Sequence, residues 1–263
     1  MPAFNAGRFI SQSINSILNQ KYNNWELLII NDGSTDDTKN TIYSFNDSRI
    51  KYYEQENRGV SSARNLALRH MQGDFFCFLD ADDLYLANSL SSRLNVFMQE
   101  EHVNIVDGRV ETRDIITNKL IKIYQPDYRG NALSQLVRLN EKCFFGPSCM
   151  IKRLPNVDYA FKEGLTHGED LLFYISIANE GLYSYTSDLI MIYRSGNYSA
   201  MSNLQGLEKG YYDIYHELQK MSAISPRDLK IYKRKITSIM FKSYLGNGHI
   251  LPAIKVLFRS QLT

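Results

Sequence analysis

This sequence of 263 residues contains few of the features that would indicate a secreted, membrane-spanning or nucleic-acid-binding protein. Its three cysteines, Cys77, Cys143 and Cys149, are odd in number and too few for a disulfide framework, which favours a reducing compartment. No apolar run reaches the length of a membrane span, and no basic-then-apolar signal opens the chain. The formal net charge of +2 gives no reason to expect a nucleic-acid partner. We therefore expect a cytoplasmic protein that does not bind nucleic acid.

Several catalytic signatures are also absent from the sequence. It has no P-loop, no G-x-G-x-x-G turn, no cysteine and histidine spacing of a metal site, and no serine-histidine-aspartate arrangement. Its five histidines do not cluster along the chain. These absences argue against the reaction classes that depend on such signatures.

What the sequence does contain is an alternation of helix and strand patterns over its first hundred residues. Short apolar runs predict buried strands at Trp25–Ile30, Ile50–Tyr53 and Phe75–Leu79. Helical spacing and turn residues predict helices over about 10–18, 36–45, 60–71 and 87–99. This alternation predicts parallel βαβ units in a doubly wound α/β sheet, which binds ligands at the carboxyl ends of its strands.

The remainder of the chain is less regular. We predict a hairpin that turns near Thr117-Asn118, a strand at Gly146–Ile151, a helix from Glu169 and a strand region at Tyr183–Tyr193. From about residue 204 the pattern is helical, basic and rich in tyrosine. This last part is either a helical cap packed on the rest of the protein or a basic amphipathic surface for an anionic membrane.

Three carboxylates, Asp80, Asp82 and Asp83, directly follow the strand predicted at Phe75–Leu79. Like charges gathered in four positions are costly without a counter-charge, and a divalent cation that also binds substrate phosphates would supply one. The alternative is a solvated turn whose aspartates cap the next helix. The location at the carboxyl end of a buried strand favours the metal site.

Two further acidic segments allow a similar pair of interpretations. A turn and a helix cap explain the neighbours of Asp32, whereas Asp32 itself could accept a hydrogen bond from a nucleobase. Asp170 lies at the start of a predicted helix, where the helix dipole favours acids, and it could instead be a general base. Arg64 and Arg194 are candidate phosphate or base contacts, although each could equally be a surface or salt-bridged arginine.

Together these segments resemble the inverting glycosyltransferases of family 2, which have the GT-A fold. The resemblance covers about residues 1–200, with the motifs in the same order and spacing. The matching stretches are Met1–Ala6, Ser16–Gln20, Trp25–Asp36, Asn57–Asn65, Phe78–Asp83 and Gly168–Asp170. The resemblance implies a mostly parallel α/β sheet flanked by helices. It divides the chain into a nucleotide-sugar-binding half (1–105), an acceptor-binding half (106–203) and a C-terminal helical extension (204–263).

The resemblance also assigns a nucleotide-sugar site to the first half. Pro2 and Ala3 match the loop that approaches the nucleobase, and Asp32 matches the residue that pairs with uracil. Arg64 resembles the arginine near the nucleotide, and Asp80 resembles the acid near the ribose. The implied donor is therefore a UDP-sugar.

For the reaction itself, the resemblance assigns two carboxylates. Asp82 resembles the ligand of Mn²⁺ or Mg²⁺, which bridges the diphosphate and offsets the charge that develops on the leaving group. Asp170 resembles the base that deprotonates the acceptor hydroxyl. A single displacement inverts the anomeric configuration and needs no enzyme nucleophile. The implied reaction transfers a hexose or N-acetylhexosamine to a glycan hydroxyl, on a lipid-linked acceptor, in the biosynthesis of capsule, lipopolysaccharide or another surface polysaccharide.

The sequence departs from the family pattern in two places. Relatives usually carry an apolar strand before the segment that matches Met1–Ala3, so the resemblance implies that the first strand is missing. This leaves two interpretations: a misplaced or shortened start, or a truncated, non-catalytic relative that binds nucleotide-sugar or glycan. Relatives also often place a histidine near the metal in the stretch that matches Tyr193–Ser199, which contains none. A nucleotidyltransferase is a third possibility, but Asn5–Arg8 is a poor version of its phosphate loop.

Overall fold

The computed structural model describes residues 1–143, 146–196 and 203–259. The first part of the chain is an alternation of strands and helices, as the sequence predicts. The strands are β1 (Pro2–Ala3), β2 (Leu27–Asp32), β3 (Ile50–Gln55), β4 (Phe75–Cys77) and β5 (Leu84–Tyr85). The helices are α1 (Ile10–Leu18), α2 (Thr38–Tyr43), α3 (Val60–His70) and α4 (Ser89–Gln99). Strands β1, β2 and β3 form a parallel sheet in that order.

The following residues build a second sheet of six strands in the order β4-β8-β6-β9-β5, with β7 beside β6. Its further strands are β6 (Val103–Asp114), β7 (Leu120–Tyr124), β8 (Met150–Lys152) and β9 (Leu182–Ser195). Its helices are α5 (Leu133–Val137) and α6 (Glu169–Ile177), and a short 3₁₀ turn spans Gly146–Ser148. Strands β6 and β9 are parallel, whereas the other pairs in this sheet are antiparallel.

The predicted hairpin is confirmed and shows why pairing in the second sheet becomes antiparallel. The Asp114 carboxylate accepts hydrogen bonds from the backbone N–H groups of Ile116 and Thr117, at 3.1 and 2.7 Å. Asn118 has a positive φ of 57°, a conformation that asparagine tolerates better than most residues. The chain therefore reverses at once from β6 into β7, with no crossover helix.

The N-terminal segment belongs to the parallel sheet. Pro2 and Ala3 form a two-residue strand that pairs with Ile30 and Asn31 of β2. The Met1 ammonium group donates a hydrogen bond to the Leu28 carbonyl oxygen at 2.7 Å. β1 comprises two residues and β2 six.

The C-terminal residues form α7 (Leu204–Lys220), α8 (Pro226–Gly246) and α9 (Ile250–Arg259), with the predicted break at Ser225-Pro226. Buried residues of α7 and α8 share a hydrophobic cluster with Leu171 and Phe173 of α6. The extension therefore packs directly behind the segment that carries Asp170. Within the described residues, no helix is long and apolar enough to cross a membrane.

Candidate active site

The acidic turn that follows β4 is held in place from behind. The backbone N–H of Arg194 donates to Asp83 Oδ1 at 2.8 Å, and the Arg194 side chain binds the Asp82 carbonyl oxygen and Gln12. Ser13 Oγ donates to the Ala81 carbonyl oxygen at 2.8 Å. These contacts bury Asp83. Arg194, a candidate phosphate contact in the sequence, thus supports the turn.

Asp80 and Asp82 lie on the open side of this turn. Burial raises the pKa of Asp82, and the negative charge of Asp80 raises it further. The pKa of Asp83 is raised well above its ordinary value by burial and by both neighbouring carboxylates. Excess negative charge is therefore concentrated at this turn, where bound cations would be stabilised.

Arg64 is the counter-charge that the structure itself provides. Its side chain is 4% exposed, and its Nη2 donates to Asp80 Oδ1 at 2.9 Å while Nη1 donates to Glu169 Oε1 at 3.0 Å. Burial alone would lower the pKa of Arg64, but the charges of Asp80 and Glu169 outweigh it and raise the pKa. Arg64 thus links α3 and the turn after β4 to the start of α6.

Asp32 ends β2 on the same side of the sheet. Its Oδ1 accepts hydrogen bonds from Gln55 Nε2 at 2.7 Å and from the Arg58 backbone at 2.9 Å, and its Oδ2 accepts from the Gly59 backbone at 2.8 Å. A carboxylate has about four acceptor positions, so the three contacts orient Asp32 and leave capacity for a ligand N–H.

These elements surround one cavity of about 400 Å³, here called the acidic cavity. Six of the residues predicted from the sequence line it: Pro2, Ala3, Asp32, Arg64, Asp80 and Asp82. The parallel strands β1 and β2 end at this cavity, and the turn after β4, from the second sheet, lines it as well. The acidic cavity is also lined by Phe4, Phe9 and Val60, apolar side chains that the sequence did not single out.

Asp170 is not among the lining residues, but its neighbour Glu169 is. Asp170 lies half-buried in the first turn of α6, and its Oδ1 accepts a hydrogen bond from the Leu171 backbone N–H at 2.7 Å. Burial, with the charge of Glu169 added, raises the pKa of Asp170 to about 6. That value suits a base that must be ionised near neutral pH yet able to take a proton.

Two glycines shape the surroundings of Asp170. Gly146 has a φ of +49°, and a Cβ atom there would lie 3.2 Å from Asp170 Oδ2. Gly168 precedes α6 with a φ of +76°, and a Cβ atom there would lie 2.5 Å from Ile214 Cδ1 of α7. The sequence identified Gly168 only as part of a motif, because its close neighbour Ile214 is far away along the chain.

The acidic turn suits a divalent metal that is completed by substrate. The described part of the chain contains no group of three or more histidine, cysteine, aspartate or glutamate side chains placed to hold a metal ion. Asp80 and Asp82 provide two carboxylates, which fits Mg²⁺ or Mn²⁺ bound through one or two carboxylates and the phosphates of a ligand. Residues 197–199, within the stretch that lacks the expected histidine, lie outside the described residues.

Glu169 is the main participant that sequence reasoning missed. It was treated as part of the Gly168-Glu169-Asp170 motif, with no role of its own. Its contact with Arg64 spans 105 positions in the chain. One signal in the sequence could have identified it: Glu169 is a second acid beside Asp170, although the reaction needs only one base.

A parallel sheet with an acidic turn at its strand ends, joined to a mixed sheet and flanked by helices, is the arrangement of GT-A glycosyltransferases. S. aureus TarS in complex with UDP-GlcNAc superposes with a TM-score of 0.71 at 19% identity, over 89% of this chain and 69% of TarS. The mannosyltransferase PcManGT from Pyrobaculum calidifontis, solved with GDP-Man and Mn²⁺, superposes with a TM-score of 0.66 at 18% identity, over 100% of this chain and 74% of that one. The GT-A fold is therefore confirmed.

The sequence model of glycosyl transferase family 2 matches residues 1–157. The chain belongs to glycosyl transferase family 2. A curated relative, the UDP-Glc:alpha-D-GlcNAc-diphosphoundecaprenol beta-1,3-glucosyltransferase WfgD of Escherichia coli, is 42% identical over 122 residues, which cover 46% of this chain and 47% of WfgD. The chain spans 26% of an uncharacterized glycosyltransferase of Rickettsia bellii, which is 32% identical over 183 residues.

Proposed function

We propose that this protein is a metal-dependent inverting glycosyltransferase that moves a hexose or N-acetylhexosamine from a UDP-sugar to a glycan hydroxyl. The observation that carries the proposal is the convergence of Asp32, Asp80 and Asp82 on one cavity, which is also lined by Glu169, the neighbour of Asp170 in the chain. The UDP donor is supported by WfgD, which uses UDP-Glc, and by TarS, which binds UDP-GlcNAc. The fold similarity to PcManGT, which binds GDP-Man, makes the choice of nucleotide a question for experiment.

In the proposed reaction, Pro2, Ala3 and Asp32 hold the nucleobase and Asp80 lies near the ribose. Asp170 accepts the proton of the acceptor hydroxyl as that oxygen attacks the anomeric carbon. The new carbon–oxygen bond forms on the face opposite the bond that breaks, and UDP departs with the electron pair. One displacement inverts the configuration, so that no covalent intermediate with the enzyme is needed.

Asp82, with Asp80 beside it, would hold Mn²⁺ or Mg²⁺, which supplies charge to the leaving diphosphate when bound. Arg64 contributes in a different way in this scheme. Because Asp80 and Glu169 occupy its Nη2 and Nη1 atoms, it acts mainly by positioning the acidic turn against α6. Its Nε is buried and has no hydrogen-bond partner among the described residues.

Asp170→Asn tests the reaction. Removal of a general base should reduce transfer at least about a hundredfold, because the acceptor hydroxyl keeps its proton, while UDP binding is retained. The readouts are UDP release with a glycan acceptor and UDP affinity by calorimetry. Asp158→Asn, which changes an exposed carboxylate of the same half, is the matched control and should leave both unchanged. Full activity of Asp170→Asn would remove Asp170 from the mechanism.

The donor is tested by thermal shift with Mn²⁺ and a panel of UDP-, GDP- and dTDP-sugars. We expect UDP-sugars to raise the melting temperature most, because ligands that bind only the folded state stabilise it. A response restricted to GDP-sugars would contradict the role given to Asp32.

A second candidate is a non-catalytic nucleotide-sugar-binding or glycan-binding relative. It would bind the donor in the acidic cavity without transferring its sugar. The same assays separate the two candidates. Donor binding with no turnover, whatever acceptor is supplied, would favour the second.

For the acceptor we propose a lipid-linked glycan at the inner face of a cell membrane, as for the diphosphoundecaprenol acceptor of WfgD. Support comes from α9, whose inner side buries Ala253 and Val256. Its outer side exposes apolar residues: Ile250, Leu251, Ile254, Leu257 and Phe258. Exposed Lys255 adds positive charge beside this apolar surface.

Co-sedimentation with vesicles tests this contact. The protein should bind vesicles that contain an anionic lipid more strongly than neutral ones, and Leu251→Ser should reduce binding because it removes apolar surface. Met98→Ser, which alters a similarly exposed apolar residue far from α9 in the chain, is the control. Equal binding by the wild type and Leu251→Ser would contradict the proposal.

A further inference from the structure

The first helix of the C-terminal extension, α7, carries two glycines on one face. Gly206 and Gly210 lie four positions apart within the helix, where glycine is less favourable than alanine. Residues four apart share a face of a helix, and Ile214 continues this face one turn later. α7 therefore has a face with two positions that lack a side chain, at a cost to the helix that calls for a reason.

The loop that precedes α6 packs against this face. A Cβ atom on Gly210 would lie 2.7 Å from the His167 carbonyl oxygen, and a Cβ atom on Gly206 would lie 2.8 Å from His167 Cε1. Thr166 Oγ1 also donates a hydrogen bond to the Gly206 carbonyl oxygen at 3.0 Å. At Gly210 the obstructing atom belongs to the backbone, so any larger residue there would have to move the loop itself.

The same loop leads directly into Asp170. Its last residue before α6 is Gly168, where a Cβ atom would lie 2.5 Å from Ile214 Cδ1. Earlier in the loop, Lys162 Nζ pairs with Glu217 Oε1 of α7 at 2.9 Å. α7 thus contacts the chain at several points between residues 162 and 168, and Asp170 lies two residues beyond the last of them.

We propose that α7 is the element that positions Asp170, and that Gly210 is the positioning residue that sets how closely the loop before Asp170 approaches this helix. The C-terminal extension is then a working part of the acceptor half and not only a cover for its core. The proposal rests on the proposed function for the role of Asp170 as a base, but its first test needs no substrate.

The pKa of Asp170 reports the position of its carboxylate. Burial and the charges of Glu169 and Asp80 raise this pKa to about 6, whereas the charge of Arg64 and a hydrogen bond from the Leu171 backbone lower it. Three tyrosines lie close enough for the charge of Asp170 to raise their own pKa values, and they are uncharged near pH 6: Tyr174, Tyr193 and Tyr211. Because the three charged neighbours lie outside α7, a change in α7 should reach the pKa of Asp170 through its burial.

The test follows the carboxyl carbon of Asp170 by NMR titration of ¹³C-labelled protein, with its signal assigned by its absence from Asp170→Asn. Gly210→Ala should lower the pKa of Asp170 by about half a unit or more, because the displaced loop admits water beside the carboxylate. Gly206→Ala should have a smaller effect, since only side-chain atoms obstruct a Cβ there and they can turn aside. Gly246→Ala is the matched control: this last residue of α8 has nothing within 4 Å of an added Cβ, so the pKa should not change.

Turnover adds a second readout that separates positioning from packing. In the transfer assay used for Asp170→Asn, Gly210→Ala should lower kcat about tenfold or more, because a misplaced base reacts poorly. Its affinity for UDP with Mn²⁺ should be unchanged, since none of residues 162–168 lines the acidic cavity. In the Asp170→Asn background the same change should cost less than about twofold, because a residue that acts through Asp170 then has nothing left to position.

Equal pKa values of Asp170 in Gly210→Ala and Gly246→Ala would overturn the proposal. A lower melting temperature of Gly210→Ala with an unchanged pKa would also overturn it, because Gly210 would then serve packing alone. If Gly210→Ala does not fold, Gly206→Ala decides the question, and an unchanged pKa in that variant counts against the proposal. Full activity of Asp170→Asn, together with a lowered pKa in Gly210→Ala, would contradict the proposed function and still support the positioning by α7.

Discussion

The two ends of the junction between the sheets differ in what holds them together. At the carboxyl ends of the strands, Arg64 joins the turn after β4 to α6 through two buried ion pairs. At the other end, a cavity of about 600 Å³ is lined by residues of both β2 and β4 and mainly by apolar side chains. The sheets are thus joined by charge at the acidic cavity, whereas apolar side chains line the space between them at the other end. Stability and chemistry should therefore respond separately to changes at the two ends.

The largest effect is expected from Arg64→Ala, which breaks the charged link. It leaves Asp80 and Glu169 without their shared partner, and the loss of one member of a buried ion pair costs about 3–5 kcal/mol. Urea unfolding measures the change. Arg58→Ala is the control: its pair with Glu163 is exposed, with side chains 61% and 42% accessible, and should contribute less than about 1 kcal/mol. Equal losses for both variants would contradict the comparison.

The next effect concerns the Met1 ammonium group, in the cavity between β2 and β4. Burial lowers its pKa from 8.0 to about 5, while the charge of Asp80 opposes the shift. The unfolded chain therefore binds more protons than the folded protein between these values. The stability that comes from keeping this group uncharged in the folded protein is complete above pH 8 and is lost as the pH falls to about 5. Between pH 8 and 5.5 the free energy of unfolding should fall by about 3 kcal/mol on this account.

Urea unfolding at both pH values measures this loss. A chain extended before Met1 by Gly-Ser-Gly-Ser-Gly is the control, because its terminal ammonium no longer contacts the Leu28 carbonyl oxygen. Its stability should depend less on pH over this range. Parallel pH dependences for the two chains would show that the Met1 ammonium does not titrate as described.

A smaller effect is expected from Asp82→Asn, a change in the acidic cavity that should alter ligand binding and not stability. Loss of one charged ligand should weaken Mn²⁺-dependent binding of UDP about tenfold or more, because the metal then retains only Asp80 among the two carboxylates. Calorimetry with and without Mn²⁺ measures it, with Asp158→Asn as the control. The melting temperature should not fall, since Asp82 carries a raised pKa that its removal relieves. Unchanged metal dependence would exclude Asp82 as the ligand.

The smallest effect is the pH dependence of transfer. Asp170, with a pKa of about 6, must be ionised to act as a base, so kcat/KM should fall about tenfold for each pH unit below 6. Initial rates from pH 5 to pH 8 measure this limb. The residual activity of Asp170→Asn should not fall with pH in this way. A limb that persists in this variant would assign the pH dependence to another group.

Much of the fold was accessible from local pattern. Three elements are specified by residues within the element itself. These are α1 by its apolar periodicity, β2 by its buried apolar run, and the β6–β7 hairpin by its turn residues. The carboxyl-end rule then placed Asp32, Asp80 and Asp82 near one another. The antiparallel pairs of β4 and β8 were not accessible, because strand partners far apart in sequence are selected by packing.

The sequence by itself determined the α/β class, the acids at the strand ends and the resemblance to a transferase family, because these depend on local periodicity and motif order. Only the tertiary structure decided that Arg64 binds acids 16 and 105 positions away, and that α7 packs against Gly168. It alone showed that an apolar cavity lies between β2 and β4. The physical reason is that burial, ion pairing and cavity shape depend on which distant segments pack together.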